Sequence, residues 1–180
     1  LNIFDKDGKA KYSYKPEIIK QYNIPILDRT FINNFSSKIS TILKSIIDGS
    51  ETGKSRPGVI FIYSRFLFSG VLPLALALEH AGFAKYGPGG NLLNYPEYKK
   101  SAKNPWDTKG EPLGYDSLPK SKSTKASTFK RGKYMILSGD NELSKNNADE
   151  LKVAISEKNK NGEVIKIILG TEVASEGIDL

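Results

Sequence analysis

The residues best placed to do chemistry lie in Gly170-Thr-Glu-Val-Ala-Ser-Glu-Gly-Ile-Asp-Leu180. This segment follows directly on Val164-Ile-Lys-Ile-Ile-Leu169, an apolar run rich in β-branched residues that reads as a buried strand. At the strand end, Thr171 offers a hydroxyl and a backbone amide, both suited to a phosphate oxygen. Gly177 permits close backbone approach or a positive φ. Asp179 is a fixed acceptor that can take a ribose hydroxyl or pair with an arginine. The bland alternative is a plain strand-to-turn transition, but that needs no Thr, Gly and Asp in this pattern.

Two further apolar runs end in polar residues. Gly58-Val-Ile-Phe-Ile-Tyr63 leads into Ser64-Arg65, and Tyr134-Met-Ile-Leu137 leads into Ser138-Gly139-Asp140. A glycine-rich stretch, Gly49-Ser-Glu-Thr-Gly-Lys-Ser55, imitates a phosphate loop but is one residue short between its glycines. Its surroundings are also wrong. A phosphate loop follows a strand and opens a helix, so that amides and helix N-terminus face the phosphates. This one follows a helical pattern and runs through Arg56-Pro57-Gly58 into a strand. The sequence therefore carries no triphosphate cradle, no Asp-Glu pair after a strand to hold magnesium, and no catalytic residue of its own. Zero cysteines and a single histidine, His80, exclude a thiol nucleophile and a Cys- or His-rich metal site.

The elements that must position these residues follow from the apolar spacing. Phe35, Ile39, Ile42, Leu43, Ile46 and Ile47 recur at helical intervals, and Asp48-Gly49 closes that helix. Gly58–Tyr63 reads as a strand buried on both faces. Val71 to Ala81 reads as an almost wholly apolar helix stopped by Gly82. Tyr134–Leu137 is a second buried strand, Asp140 caps a helix over about 141–158, and Val164–Leu169 is a third strand. Alternating strands and helices imply an open parallel sheet flanked by helices. Ligands of such sheets sit beyond the carboxyl ends of the strands, so Ser64, Arg65, Ser138, Gly139 and Thr171 fall where function is expected.

Composition bounds the rest. The chain has 180 residues, 38% of them hydrophobic and 26% charged, in the range of a folded domain with a real core. No apolar run is long enough to span a membrane, and an intracellular setting is expected. The net charge of +7 is concentrated: residues 85–133 hold 11 Lys plus Arg against 4 Asp plus Glu, and the remainder is balanced. That segment is rich in Gly, Pro, Ser and Lys and lacks an apolar period, so it reads as a basic insertion removable without unfolding the sheet. Lys120, Lys122, Lys125, Lys130 and Arg131 are its candidate phosphate contacts, and Tyr86, Tyr95, Tyr98, Trp106 and Tyr115 could stack on bases. The competing reading is a solvated lysine-rich surface loop. Residues 1–33 read as a lead-in that packs along the domain. The absence of an initial Met, and an end just after the motif-like segment, read as a piece of a longer protein.

Thr171-Glu-Val-Ala-Ser-Glu-Gly-Ile-Asp179 resembles motif V of superfamily 2 helicases, written T-(D/E)-V-A-(A/S)-x-G-(I/L)-D. Gly58 to Arg65 is similar to motif IV, Leu78-Glu-His-Ala-Gly-Phe83 to the helix ending L-E-x-x-G-F/Y, and Phe35–Ile47 to the helix that introduces the second RecA-like domain. The resemblance runs from about Asn34 to Leu180 and treats 85–133 as an insertion. It implies a RecA-like fold over 34–180, truncated before motif VI, which would carry the arginine finger. It implies that Gly177 and Asp179 face the nucleotide. It places Ser64, Arg65, Ser138, Gly139 and Thr171 on the nucleic-acid backbone. ATP and Mg2+ would be held mainly by a first RecA-like domain outside this sequence, so the chain alone is expected to be inactive. The implied partners are DNA or RNA, that first domain, and the transcription machinery. The insertion and the Lys-, Asn- and Ile-rich composition resemble helicase-type ATPases of large DNA viruses, which implies host cytoplasm or the virion as location. The alternative is a non-catalytic α/β nucleic-acid-binding or regulatory domain. A flavodoxin-like or glycosyltransferase-like domain is a third reading.

Overall fold

The computed structural model describes residues 4–6, 11–22, 26–28, 31–51, 58–94 and 132–174. Strands β1 (Phe4–Lys6) and β2 (Tyr12–Tyr14) pair antiparallel. Strands β3 (Ile60–Tyr63), β4 (Ala84–Lys85), β5 (Lys133–Leu137) and β6 (Ile167–Gly170) form a parallel sheet in the order β3-β6-β5-β4. Helices α1 (Pro16–Tyr22), α2 (Ser37–Glu51), α3 (Leu72–His80) and α4 (Asn147–Ala154) complete the described elements. The chain is thus α/β with a parallel sheet and flanking helices. The crossover from β3 at one edge runs through α3 to β4 at the other edge. The chain then returns strand by strand until β6 lies against β3. Among the described residues this order is neither the flavodoxin order nor the Rossmann order, in which the first strand has the second beside it.

The alternation of side chains along β5 and β6 divides the core into two faces. Tyr134, Ile136, Ile167 and Leu169 face α2 and α3, and Met135, Leu137 and Ile168 face the side covered by Val153 and Ala154 of α4. Helix α3 is apolar all round because it is buried all round. Its Leu72, Ala75, Leu76, Ala77 and Leu78 have no exposed surface, enclosed by the sheet, by Leu43 of α2 and by Tyr12, Tyr14, Ile26 and Leu27 of the lead-in. Complete burial of each leucine contributes about 1.5–3 kcal/mol. The helix ends as the sequence predicts. Gly82 takes φ +113°, the Phe83 N–H reaches the Leu78 carbonyl and the Gly82 N–H the Glu79 carbonyl. That is a Schellman closure, which glycine permits without a Cβ penalty.

The structure corrects four expectations. Among the described residues β3 lies at the edge of the sheet, and it is not buried on both faces. Ile60 and Ile62 pack on the core, but Phe61 and Tyr63 are 39% and 49% exposed on the other side. The helix expected over 141–158 is shorter. Asp140 does not cap it: its carboxylate accepts the Glu142 and Leu143 amides at 2.9 and 3.0 Å and closes a turn over 141–143, while the helix covers only 147–154 with Asn146 at its N-cap position. The cause lies in the side chains there. Ser144 donates to the Ile136 carbonyl at 2.6 Å and Asn147 to the Ser138 carbonyl at 2.6 Å, so polar side chains tie this stretch to β5 and compete with helical bonding. The apolar helix expected from Val71 is preceded by a π-helical turn over Leu67–Val71. The segment expected as an insertion from residue 85 belongs to the fold as far as Asn94. Leu92 and Leu93 are buried, and Tyr12 of the lead-in pairs with them through its N–H to the Leu92 carbonyl and the Asn94 N–H to its own carbonyl, each 2.7 Å. The rest of the expected insertion, 95–131, lies outside the described residues, as does the loop over 52–57.

Candidate functional site

The sheet places three of the sequence-predicted loops side by side. Tyr63 and Leu137 both pair with Gly170, so the next residues, Ser64, Thr171 and Ser138, stand in a row at the carboxyl ends of β3, β6 and β5. α3 follows β3 on one face and α4 follows β5 on the other. The row therefore lies where the crossovers part to opposite faces, the place at which open α/β sheets take ligands.

Each position is held by the backbone as well. The Ser64 N–H donates to the Gly170 carbonyl and the Thr171 N–H to the Leu137 carbonyl, both at 3.0 Å. The Thr171 hydroxyl lies 3.5 Å from that same carbonyl, and the residue is 7% exposed. Ser138 is 1% exposed, and its hydroxyl accepts the Asp140 amide at 3.2 Å. It shapes the turn and does not present its side chain to solvent. Gly139 is exposed, and a Cβ there would meet Val173 at 3.5 Å, so the loops after β5 and β6 touch.

At β3 the turn is built by Ser64 and Gly70. The Ser64 hydroxyl bonds the Phe66 amide and carbonyl at 3.3 and 3.2 Å. A Cβ at Gly70 would sit 2.0 Å from that hydroxyl oxygen, so only glycine allows the approach. This packing brings the π-turn against the strand end. Such turns cluster at functional sites. Its consequence is outward display: Phe66 and Phe68 are 63% and 57% exposed. Arg65 reaches across to Glu172, Nε to Oε1 3.3 Å, with both side chains largely exposed.

The described rim does not by itself fit a nucleoside triphosphate. Its strand-end amides at Ser64 and Thr171 are already spent on the ladder. Among the described residues no group of three or more His, Asp or Glu could hold a metal ion, and no helix is long and apolar enough to cross a membrane. Gly177, Asp179, Lys120, Lys122, Lys125, Lys130 and Arg131 lie outside the described residues.

A buried polar cluster that the sequence reading missed stands at the other end of α3. Glu79, with no exposed surface, accepts the Leu92 and Leu93 amides at 2.8 and 2.7 Å and the Tyr134 hydroxyl at 2.6 Å. Burial pushes its carboxyl up to about 7 against the pull of these donors. Lys11 secures the same loop by donating to the Gly89 and Asn91 carbonyls. The available signal was a lone acidic residue inside an apolar helix. The cluster anchors the loop after β4, and its donors leave it no free acceptor facing a ligand.

No family model matches the chain, and neither curated proteins nor solved structures give a match.

Proposed function

We propose that this chain is the second RecA-like domain of a superfamily 2 nucleic-acid-dependent ATPase or helicase. It binds a nucleic-acid backbone along the row Ser64–Thr171–Gly139 and closes on ATP and Mg2+ held by a first domain. One observation carries the reading: three loops picked out separately by sequence meet at the carboxyl ends of three neighbouring parallel strands. Two features support it. Arg65 is an exposed guanidinium at that rim, suited to phosphate. Phe66 and Phe68 beside it offer exposed rings on which unpaired bases stack. The basic segment would add affinity that does not depend on base sequence.

The test is turnover. In the full-length protein, ATP hydrolysis should rise when single-stranded DNA or RNA is added, and Arg65→Gln combined with Thr171→Val should abolish that stimulation while leaving folding intact. The 180-residue chain alone should hydrolyse no ATP, because transition-state charge in phosphoryl transfer needs a phosphate cradle and an arginine finger. Robust turnover by the isolated chain refutes the division of the site between two domains. Nucleic-acid binding without any stimulated turnover in the full-length protein favours the non-catalytic binding domain.

A further inference from the structure

Arg65 and Glu172 are the second residues past the paired ends of β3 and β6, and their side chains meet over the rim at 3.3 Å. We propose that Glu172 lowers the affinity of this rim by standing on Arg65 as an internal counter-ion, so that a nucleic-acid phosphate takes the Nε edge of Arg65 by displacing the protein's own carboxylate. The inference rests on the reading of the rim as a nucleic-acid interface, and it names the residue that limits binding.

Several groups that could grip a phosphate at these strand ends are already engaged. The Ser64 and Thr171 amides bond carbonyls of neighbouring strands. The Ser64 hydroxyl is engaged with Phe66 and the Ser138 hydroxyl with the Asp140 amide. Arg65 is therefore the strongest anion-binding group on the described rim, and its Nε edge faces a carboxylate. The pair is 73% and 65% exposed. An ion pair in that setting is weak and exchanges readily, so Glu172 tunes binding and does not block it. A phosphate offers the guanidinium the same paired oxygens as a carboxylate, so a phosphate that approaches the Nε edge competes with Glu172 there. The exchange is reversible and forms no covalent bond.

The experiment is fluorescence anisotropy of a labelled 15-nucleotide single strand, as DNA and as RNA, with the 180-residue chain at several salt concentrations from 50 to 200 mM. The variants are Glu172→Gln, Arg65→Gln and the double variant. Glu157→Gln, an exposed carboxylate after α4, serves as a charge control. Glu172→Gln should tighten binding about two- to five-fold, the range set by an exposed pair. It should steepen the salt slope by up to about 0.7, the share of one phosphate on a single strand. Arg65→Gln should weaken binding, and Glu172→Gln should add nothing on top of it. Tightening that persists in the Arg65→Gln background, or equal tightening by Glu157→Gln, means a general loss of negative charge and overturns the proposal. If the folded wild-type chain binds but Arg65→Gln changes neither affinity nor slope, the strand lies elsewhere. The proposal then falls, and the nucleic-acid reading of the chain stands. If the folded chain binds no nucleic acid even at 50 mM salt, both fall together.

Discussion

Glu79 allows a stability measurement to be worked out from the structure in advance. Its carboxyl has no exposed surface and is pushed up from 4.5 to about 7 by burial. The sign follows from proton counting. Between pH 4.5 and 7 the folded chain holds a proton that the unfolded chain has lost, so the contribution of this group is fullest below pH 4.5. It declines as pH rises and is gone above about 7. At about 1.4 kcal/mol per unit, the decline is on the order of 3 kcal/mol. Glu79→Gln removes the titration and also damages the cluster. If the glutamine oxygen keeps the Leu92 and Tyr134 donors, its NH2 faces the Leu93 amide where a carboxylate oxygen stood at 2.7 Å. A buried donor left facing a donor costs about 1–3 kcal/mol. Urea unfolding followed by circular dichroism from pH 4.5 to 8 should therefore show the variant clearly less stable at pH 5, with the gap closing as pH rises. Taking the difference at each pH cancels other groups, such as Glu150, whose carboxyl burial also raises. A gap constant across that range would refute the assignment of a buried, titrating carboxyl at Glu79.

Three other outcomes are expected. Asn159, with no exposed surface, donates to the Ala154 and Ile165 carbonyls and accepts from the Val164 and Ile165 amides. Asn159→Ala should cost about 3 kcal/mol in urea unfolding by orphaning buried groups. Leu76→Ala should cost about 2–5 kcal/mol by opening a cavity in α3, read as a shift of the urea midpoint at unchanged slope. A deletion that joins Ala84 to Tyr134 should give an unfolded or aggregating chain by circular dichroism. It removes Leu92 and Leu93 from the core and leaves the Glu79 carboxylate without two of its donors.

What was legible in the sequence is what period and punctuation encode. The apolar helix before Gly82, the strand at 134–137, the strand expected over 164–169 and found at 167–170, and the helix after residue 34 all announce themselves by spacing. The strand ends at Ser64, Ser138 and Thr171 follow from them. What was not legible depends on partners distant in sequence. Whether Gly58–Tyr63 lies at the centre or the edge of the sheet depends on strand order, and no residue within it reports that order. Tyr12–Tyr14 is only three residues long, too short for a period, and gains its place by pairing with Leu93. Asn159-Lys-Asn-Gly162 reads as a polar loop, yet the Asn159 side chain is the joint between α4 and β6. Gly70 shows no reason of its own in the sequence. Its reason, the Ser64 hydroxyl that would collide with any Cβ, lies six residues back along a turn whose geometry sequence does not reveal.

The same geometry separates two features that composition would join. Arg65 and Thr171 stand at the carboxyl ends of β3 and β6. The flanks of the basic segment are held elsewhere. Gly132 enters β5 at its amino end, and its carbonyl accepts the Ala84 N–H at the start of β4. On the other flank, Leu93 next to Asn94 is bound by Glu79 in the last turn of α3, the turn that feeds β4 at its start. A strand of five residues spans about 16 Å at its usual rise, so a strand's length separates the Gly132 flank from the rim. Lys85 and Lys133, the basic residues of 85–133 among the described residues, therefore stand a strand's length from the rim. On the described rim Arg65 is already matched by Glu172. On the proposed nucleic-acid reading, binding should therefore respond to changes at Arg65 and Glu172 and not to Lys133→Gln.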